Sequence, residues 1–451
     1  MQTHRVLRAA AAVAALALAL AGAVDAEPGA AGGAQLAVAA ATDSAAATAL
    51  PVYGNTPEDL RPYHRFVQKP YKQFFVEPLV FTGPGREKPE PQVATVKIGV
   101  LAPLERSQEG YIGRPILWGA EVAIDEANAQ GGYQGTPFEL VVRNDTGLWG
   151  ASANEVVAFS YEDSCWALIG TVDGANTHIA IRVALKTELP VMNVGDTDPT
   201  LVETKIPWIF RNIADDRQMA YTLAYYVYKE MGHKRVAILR ANNRYGRFGV
   251  GEFRASSDRL GLSAPIEINY EVAYNQVNPD FEVQIERLQK VQPDAVILWA
   301  DAQPAAVLLK RMREVGLSMP VYACDRVVHP DFLKLAGAAA NGVIAAYPYD
   351  PDADIPALKA FKRTYRQRFG YEPTVYATHA YDGAWMLVQA IRQAGLNRYR
   401  IRDALADMRT YDGITGQIVM DDANSDRGPV NLATVRAGHF VFNEPQVLVR
   451  F

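Results

Sequence analysis

From Val96 onward the chain alternates short apolar runs with longer stretches whose apolar residues recur every three or four positions. The runs VKIGVLAP (96–103), FELVVRND (138–145), WALIGTV (166–172) and PVMNVG (190–195) suit strands buried on both faces of a sheet. Between the first two, Leu117, Ala120, Ile124 and Ala127 follow the helical period. Gly131-Gly132 end that helix, because the position past a last turn favours left-handed backbone. A second set begins near residue 214. There Asp215-Asp216-Arg217-Gln218 has the form of a capping box, and Gly232 stops the helix it opens. The strand candidates RVAILRAN (235–242), DAVILWA (294–300), PVYAC (320–324) and GVIAAYPY (342–349) follow, with helical patterns between them. Strands alternating with helices imply parallel sheets in an α/β architecture, here in two sets joined near Ile209 to Ile213. Helical patterns at 354–369, 374–394 and 400–409 come next, then a turn-rich GITGQIVMDDANSDRGP and a hairpin-like pair, NLATVRA and HFVFNE. This block has too few strands for a third domain, so the chain is expected to return and complete the two earlier sheets.

The N-terminal region has a different texture. Arg5 and Arg8 precede an apolar run, Ala9 to Ala23, and Val24-Asp25-Ala26 offers small residues for cleavage before Glu27. The run is shorter than the roughly 20 apolar residues of a membrane span, so it reads as a cleavable signal peptide and a periplasmic address. The two cysteines, Cys165 and Cys324, lie far from that site, which argues against a lipid anchor. Residues 27–50 are nearly all Ala, Gly, Thr and Ser, a composition that cannot bury enough apolar surface to order itself. Residues 51–92 are rich in proline yet carry Tyr53, Tyr63, Phe66, Tyr71, Phe74, Phe75 and Phe81. An extended segment packing its aromatics along the main body is expected there, in preference to a bare tether.

Composition narrows the classes. The 451-residue chain has a net charge of −5, which gives no electrostatic basis for binding nucleic acid or anionic lipid. Two cysteines make no disulfide framework and are read as small buried hydrophobes. The sequence has no GxSxG elbow, no Walker A loop and no HExxH, and its seven histidines show no metal-ligand spacing. Neither catalysis nor a cofactor or metal is expected. Gly246, Gly249 and Gly251 have the wrong spacing for a dinucleotide loop and are read as a turn and close packing.

In open parallel sheets, ligands bind beyond the carboxyl ends of the strands, where loops meet helix N-termini. That rule selects 104–113, 145–150, 171–177, 193–198, 241–247, 300–303 and 324–327. From these loops, Gly174 to Thr177 offer helix-start N–H groups to a carboxylate, and Thr197 a hydroxyl. Asp301 and Asp325 can pair with an ammonium. Tyr111, Trp149 and Tyr245 can cover an apolar part.

The segments IGVLAPL, GAEVAIDEANAQGG, NTHIAIRVALKTELPVMNVGDTDP, RVAILRANNRYG, PDAVILWADAQPAAVLLKRMREVGL and YDGAWMLVQAI, in this order, resemble the Leu/Ile/Val-binding proteins of ABC transporters, in the type I periplasmic-binding-protein family. The resemblance runs from about residue 95 to the end. It implies two doubly wound α/β lobes joined by three crossovers, with a ligand cleft between them that closes by hinge motion. Lobe 1 is then 95–212 with 348–428, and lobe 2 is 213–347 with 429–451, after a signal peptide at 1–26 and an extension at 27–94. The family's carboxylate-binding positions align with Gly174, Gly195 and Thr197, its ammonium-binding acid with Asp325, and one of its tyrosines with Asp301. Gly174 lacks the family's hydroxyl, and Asp301 adds a charge. Together with Asp173 and Ala175, these define the expected site.

Asp173, Asp301 and Asp325 round one cleft require offsetting positive charge, from the ligand or from Arg106, Arg244 and Arg326. A polar or cationic amino-acid-like ligand, or a small amide, is therefore expected over plain leucine. The expected role is a monomeric solute-binding protein that hands its ligand to an inner-membrane permease. The alternative is a sensing module that reports ligand occupancy to a membrane receptor without transport.

Overall fold

In the computed structural model, the structure describes residues 84–442 apart from 108, 204–205, 273–275, 277–278 and 422. The expected signal peptide, the Ala/Gly stretch and most of the aromatic extension lie outside the described residues.

Lobe 1 is built on five parallel strands. In chain order these are β1 (Val96–Ala102), α1 (Gly110–Ala129), β2 (Phe138–Asn144), α2 (Trp149–Tyr161), β3 (Ala167–Ile169), α3 (Gly174–Thr187), β4 (Val191–Asn193), a single turn α4 (Thr200–Glu203) and β5 (Ile209–Arg211). The strands stand in the order β2-β1-β3-β4-β5. Lobe 2 repeats the plan. Its elements are α5 (Asp216–Tyr225), β6 (Val236–Ala241), α6 (Arg244–Arg259), β7 (Ile266–Tyr270), α7 (Glu282–Val291), β8 (Ala295–Trp299), α8 (Ala302–Glu314), β9 (Val321–Ala323), α9 (Pro330–Ala336) and β10 (Ile344–Tyr347). Here the parallel order is β7-β6-β8-β9-β10. In both sheets consecutive connections run outward in opposite directions from the first strand, so each has a switch point where its helices part.

The chain then returns. Helices α10 (Pro356–Phe369), α11 (Val375–Ala394) and α12 (Arg398–Asp407) pack on lobe 1, α11 lying along α1. Gly119 of α1 makes that contact close, since a Cβ there would collide with the Ala377 carbonyl. A two-stranded ribbon, β11 (Thr410–Gly413) with β12 (Gly416–Val419), follows. Finally β13 (Asn431–Arg436) and β14 (His439–Phe442) add antiparallel strands beside β10 in lobe 2. Three crossovers therefore join the lobes, at 212–215, 348–355 and 420–430.

Local signals explain the boundaries. Asp215 and Gln218 form the reciprocal capping box. Gly131 and Gly132, at φ of 96° and 63°, carry the chain out of α1. Four strands escaped the sequence pattern: β5, β7 and the two of the β11–β12 ribbon, which fall in or beside the stretch read as turn-rich. β7 is an edge strand whose Glu267 and Asn269 alternate with the more deeply set residues, so it lacks the apolar run of a central strand. β5 is only three residues long. Cys165 and Cys324 are buried and free. No helix among the described residues is long and apolar enough to cross a membrane.

The crossovers are tied by charge. Arg211, fully buried at the end of β5, donates to the Asp198 carbonyl (2.7 Å), to Asp215 Oδ2 (2.9 Å) and to Ser425 Oγ (3.0 Å). Arg217 reaches the same Asp215 oxygen at 2.6 Å. Burial would raise the Asp215 carboxyl, but the two guanidiniums outweigh it and hold it well below the usual range.

Candidate functional site

The two sheets direct the carboxyl ends of their central strands towards one another, and nearly every side chain at the junction sits at a helix start. Tyr111 stands in the first turn of α1, Gly174 opens α3, Asp216 opens α5, Tyr245 lies in the first turn of α6 and Asp301 immediately precedes α8. These are the positions that the strand–loop–helix plan brings to the crevice.

On one side, Tyr111 Oη donates to Asp301 Oδ1 across the lobes at 2.9 Å. Arg326 Nη1 donates to the same oxygen at 3.0 Å and to Glu109 Oε1 of lobe 1 at 3.3 Å. Its guanidinium lies 3.9 Å from the centre of the Tyr245 ring, a cation–π contact. At the centre, Tyr245 Oη donates to Asp325 Oδ1 at 2.8 Å, and Tyr376 Oη of α11 donates to Oδ2 at 3.3 Å. The Cys324 thiol, pushed up by burial and so kept protonated, lies 2.6 Å from the Tyr245 hydroxyl. On the far side, Arg244 Nε meets Asp198 Oδ2 at 2.5 Å, and Arg244 Nη2 donates to Thr200 Oγ1 at 3.1 Å. Five of these side-chain hydrogen bonds thus span the lobes, and the cleft is closed.

Carboxylates dominate this junction. Burial, opposed by Arg326 and reinforced by Asp173, Asp301 and Asp145, pushes Glu109 up to about 8. Burial and the neighbouring Asp198 push Asp196 up to about 7. Asp325 is raised by burial, against Arg326 and the Tyr245 hydroxyl. Asp216 rises well above the carboxylate range through burial and the charge of Asp325. The Thr197 hydroxyl faces Asp216, but neither Asp216 oxygen reaches hydrogen-bonding geometry with a described group. A buried acid without a partner beside a second buried acid is costly unless a proton or a cation arrives. Among the described residues no set of three or more His, Cys, Asp or Glu is arranged to hold a metal ion.

The structure brings Tyr111, Tyr245, Asp301 and Asp325 into one network through Arg326. Gly174 is pressed against the Asp198–Arg244 pair, where a Cβ would collide with both. Gly195 packs under Ile116 and the Thr171 carbonyl. Thr197 accepts the Asp216 backbone N–H through its carbonyl at 2.9 Å. Asp173 is spent on its own helix, accepting the Ala175 N–H at 2.9 Å. The Gly195 N–H is also used internally, by Asn193 Oδ1 at 3.0 Å. The N–H groups of Ala175 and Gly195, expected to be open to a ligand carboxylate, are therefore occupied by side chains of the protein. Trp149 is not drawn into the network; it heads α2 and is 64% exposed. Arg106 is exposed as well, whereas Arg244 and Arg326 supply the offsetting charge. Glu109, Asp198, Asp216 and Tyr376 were not singled out from the sequence. Asp216 was visible only as part of a cap, and Tyr376 arrives on a returning helix that no local pattern links to the cleft.

The periplasmic binding protein family model matches residues 95–438. Leu/Ile/Val-binding protein homolog 2 of Brucella abortus (strain 2308) is 27% identical over 336 residues, which cover 73% of this chain and 86% of that protein. Among solved structures, the leucine-binding protein LivK of Thermotoga maritima MSB8 superposes with a TM-score of 0.70 at 23% identity, over 77% of this chain and 98% of that one. An ABC-transporter solute-binding protein of R. palustris in complex with benzoate gives 0.69 at 18%, over 77% and 95%. The same fold therefore accompanies chemically different ligands. With the family model spanning both lobes and the closed crevice between them, this chain belongs to the periplasmic binding protein family, with the type I two-lobe fold.

Proposed function

We propose that the protein is the extracytoplasmic solute-binding component of an ABC importer, which captures a small amino-acid-like or amide ligand bearing an ammonium group and delivers it to a membrane permease. The observation that carries this reading is the pair of buried carboxyls, Asp325 and Asp216, at the junction of the lobes, the second faced only by the Thr197 hydroxyl and out of full hydrogen-bonding geometry with it. An ammonium between them would supply the missing donors and offset the repulsion. The resemblance to Leu/Ile/Val-binding proteins supports an amino-acid-like ligand. The excess of carboxylates, and the internal use of the Ala175 and Gly195 N–H groups, favour a polar or cationic compound over leucine. Lobe closure would bury the ligand and let both lobes donate to it, so selectivity would come from paired polar groups.

Isothermal titration with amino acids, their amides and simple amines tests this reading. Asp325→Asn should weaken binding of amine-bearing ligands by roughly 10- to 100-fold, the scale of one charge-assisted hydrogen bond. Unchanged affinity would place the ligand elsewhere. Selective tight binding of leucine, with indifference to its polar analogues, would defeat the preference for a polar ligand.

A further inference from the structure

A cavity of about 690 Å³ lies beside the Asp325 network, between the loops that leave β6, β7 and β8, the start of α9, and the loop after β1. It shares one wall with the network, formed by Tyr111 and Asp301. Its volume falls within the roughly 300–1,000 Å³ of pockets that hold drug-sized ligands.

The lining is one-sided in charge. Glu271, Asp301 and Asp331 contribute three carboxylates, and the described lining residues include no Lys or Arg. Asp301 is partly offset from behind by Arg326. Among the described residues, neither Glu271 nor Asp331 has an arginine or lysine within ion-pairing distance. His329, also in the wall, is held towards its neutral form by burial and stacks edge-on to Tyr111 at 5.3 Å. A second feature is independent of the charges. Tyr270, only 4% exposed, lines the cavity with a hydroxyl that no described group hydrogen-bonds. A buried hydroxyl without a partner is normally satisfied by something that enters the space it faces.

We propose that this cavity is a second compartment of the ligand site, which takes a cationic group (an ammonium or a guanidinium) at the far end of an extended ligand whose first amine is held at Asp325 and Asp216. The inference rests on the amine-binding reading given above and adds that the ligand carries two separated cationic centres. Aromatic faces at Tyr111 and Tyr270 cover the connecting chain. Glu271, Asp331 and the Tyr270 hydroxyl receive the distal charge. Asp301, common to both compartments, is the carboxylate for which a ligand cation would compete with Arg326.

Titration of the purified protein with lysine, norleucine and 1,5-diaminopentane tests the proposal, since norleucine lacks the distal amine of lysine. Lysine or the diamine should bind at least about tenfold more tightly than norleucine at low ionic strength. The combined Glu271→Gln, Asp331→Asn variant should remove about tenfold of that advantage and leave norleucine unaffected. Tyr270→Phe, which keeps the ring, should weaken the distal-amine ligands in the same selective way. Equal binding of lysine and norleucine, or equal loss for both in the double variant, overturns the second compartment and leaves the amine site at Asp325 standing. Failure of every amine to bind, with Asp325→Asn indistinguishable from wild type, overturns both readings.

Discussion

The Arg244–Asp198 pair is the clearest latch on the closed cleft, and removing it should open the molecule. Arg244 begins α6 in lobe 2, and Asp198 follows β4 in lobe 1. Arg244→Ala deletes the 2.5 Å contact to Asp198 and the 3.1 Å contact to Thr200. It also deletes a cation–π contact with Phe248 at 4.3 Å, but that lies within α6 and does not bias closure. The Asp198 side chain is 5% exposed and that of Arg244 26% exposed, so the pair is intermediate between surface and buried bridges. Exposed pairs contribute about 1 kcal/mol or less, whereas breaking a buried pair costs about 3–5 kcal/mol. About 2 kcal/mol is a reasonable value for this geometry, equivalent to roughly 30-fold in the closed-to-open ratio. Because the contact exists only when the lobes meet, the change should appear in the closure equilibrium and, through linkage, in ligand affinity. Dyes on Tyr371→Cys in lobe 1 and Val283→Cys in lobe 2, both 65% exposed, report lobe separation by energy transfer. The native cysteines are buried and leave the labelling selective. The Arg244→Ala protein should shift towards the low-transfer state, and Gly174→Ala, whose Cβ collides with the same pair, should shift with it. Unchanged transfer together with a lowered melting temperature would refute the latch and make the pair a fold stabiliser only.

Two further outcomes follow from the same structure. Burial and Asp198 raise Asp196 from 3.8 to about 7, so its contribution to stability is complete below about pH 4 and is lost as pH rises through about 7; Asp196→Asn should flatten the fall in melting temperature across that window, and an unaltered slope would count against it. A Cβ at Gly249 would lie within the Trp299 ring, so Gly249→Ala should destabilise by about 1–3 kcal/mol in denaturant unfolding, whereas Gly251→Ala, which faces open space, should not.

Much of this architecture was legible in the order of residues. The apolar runs at 96–103, 166–172, 235–242 and 294–300 became central strands, because a strand covered on both faces is apolar at nearly every position. The capping box at Asp215 and the glycine stop after α1 are local devices, and local sequence specified them. Placing loops at the crevice needed only the rule for parallel sheets, and it selected Tyr111, Tyr245, Asp301 and Asp325, which meet there, along with Trp149, which does not. What those side chains do to one another was decided by distance through space. Arg326 sits 25 positions from Asp301 and 217 from Glu109, yet it bonds both, because the lobes close on it. Tyr376 reaches Asp325 only because α11 returns to pack on lobe 1. The sequence determined the elements and the loops that face the crevice, since periodicity and capping act over a few residues. Only the tertiary structure decided which N–H groups remain open and which carboxyls are left unpaired, since burial and charge pairing depend on neighbours that the chain supplies from hundreds of residues away.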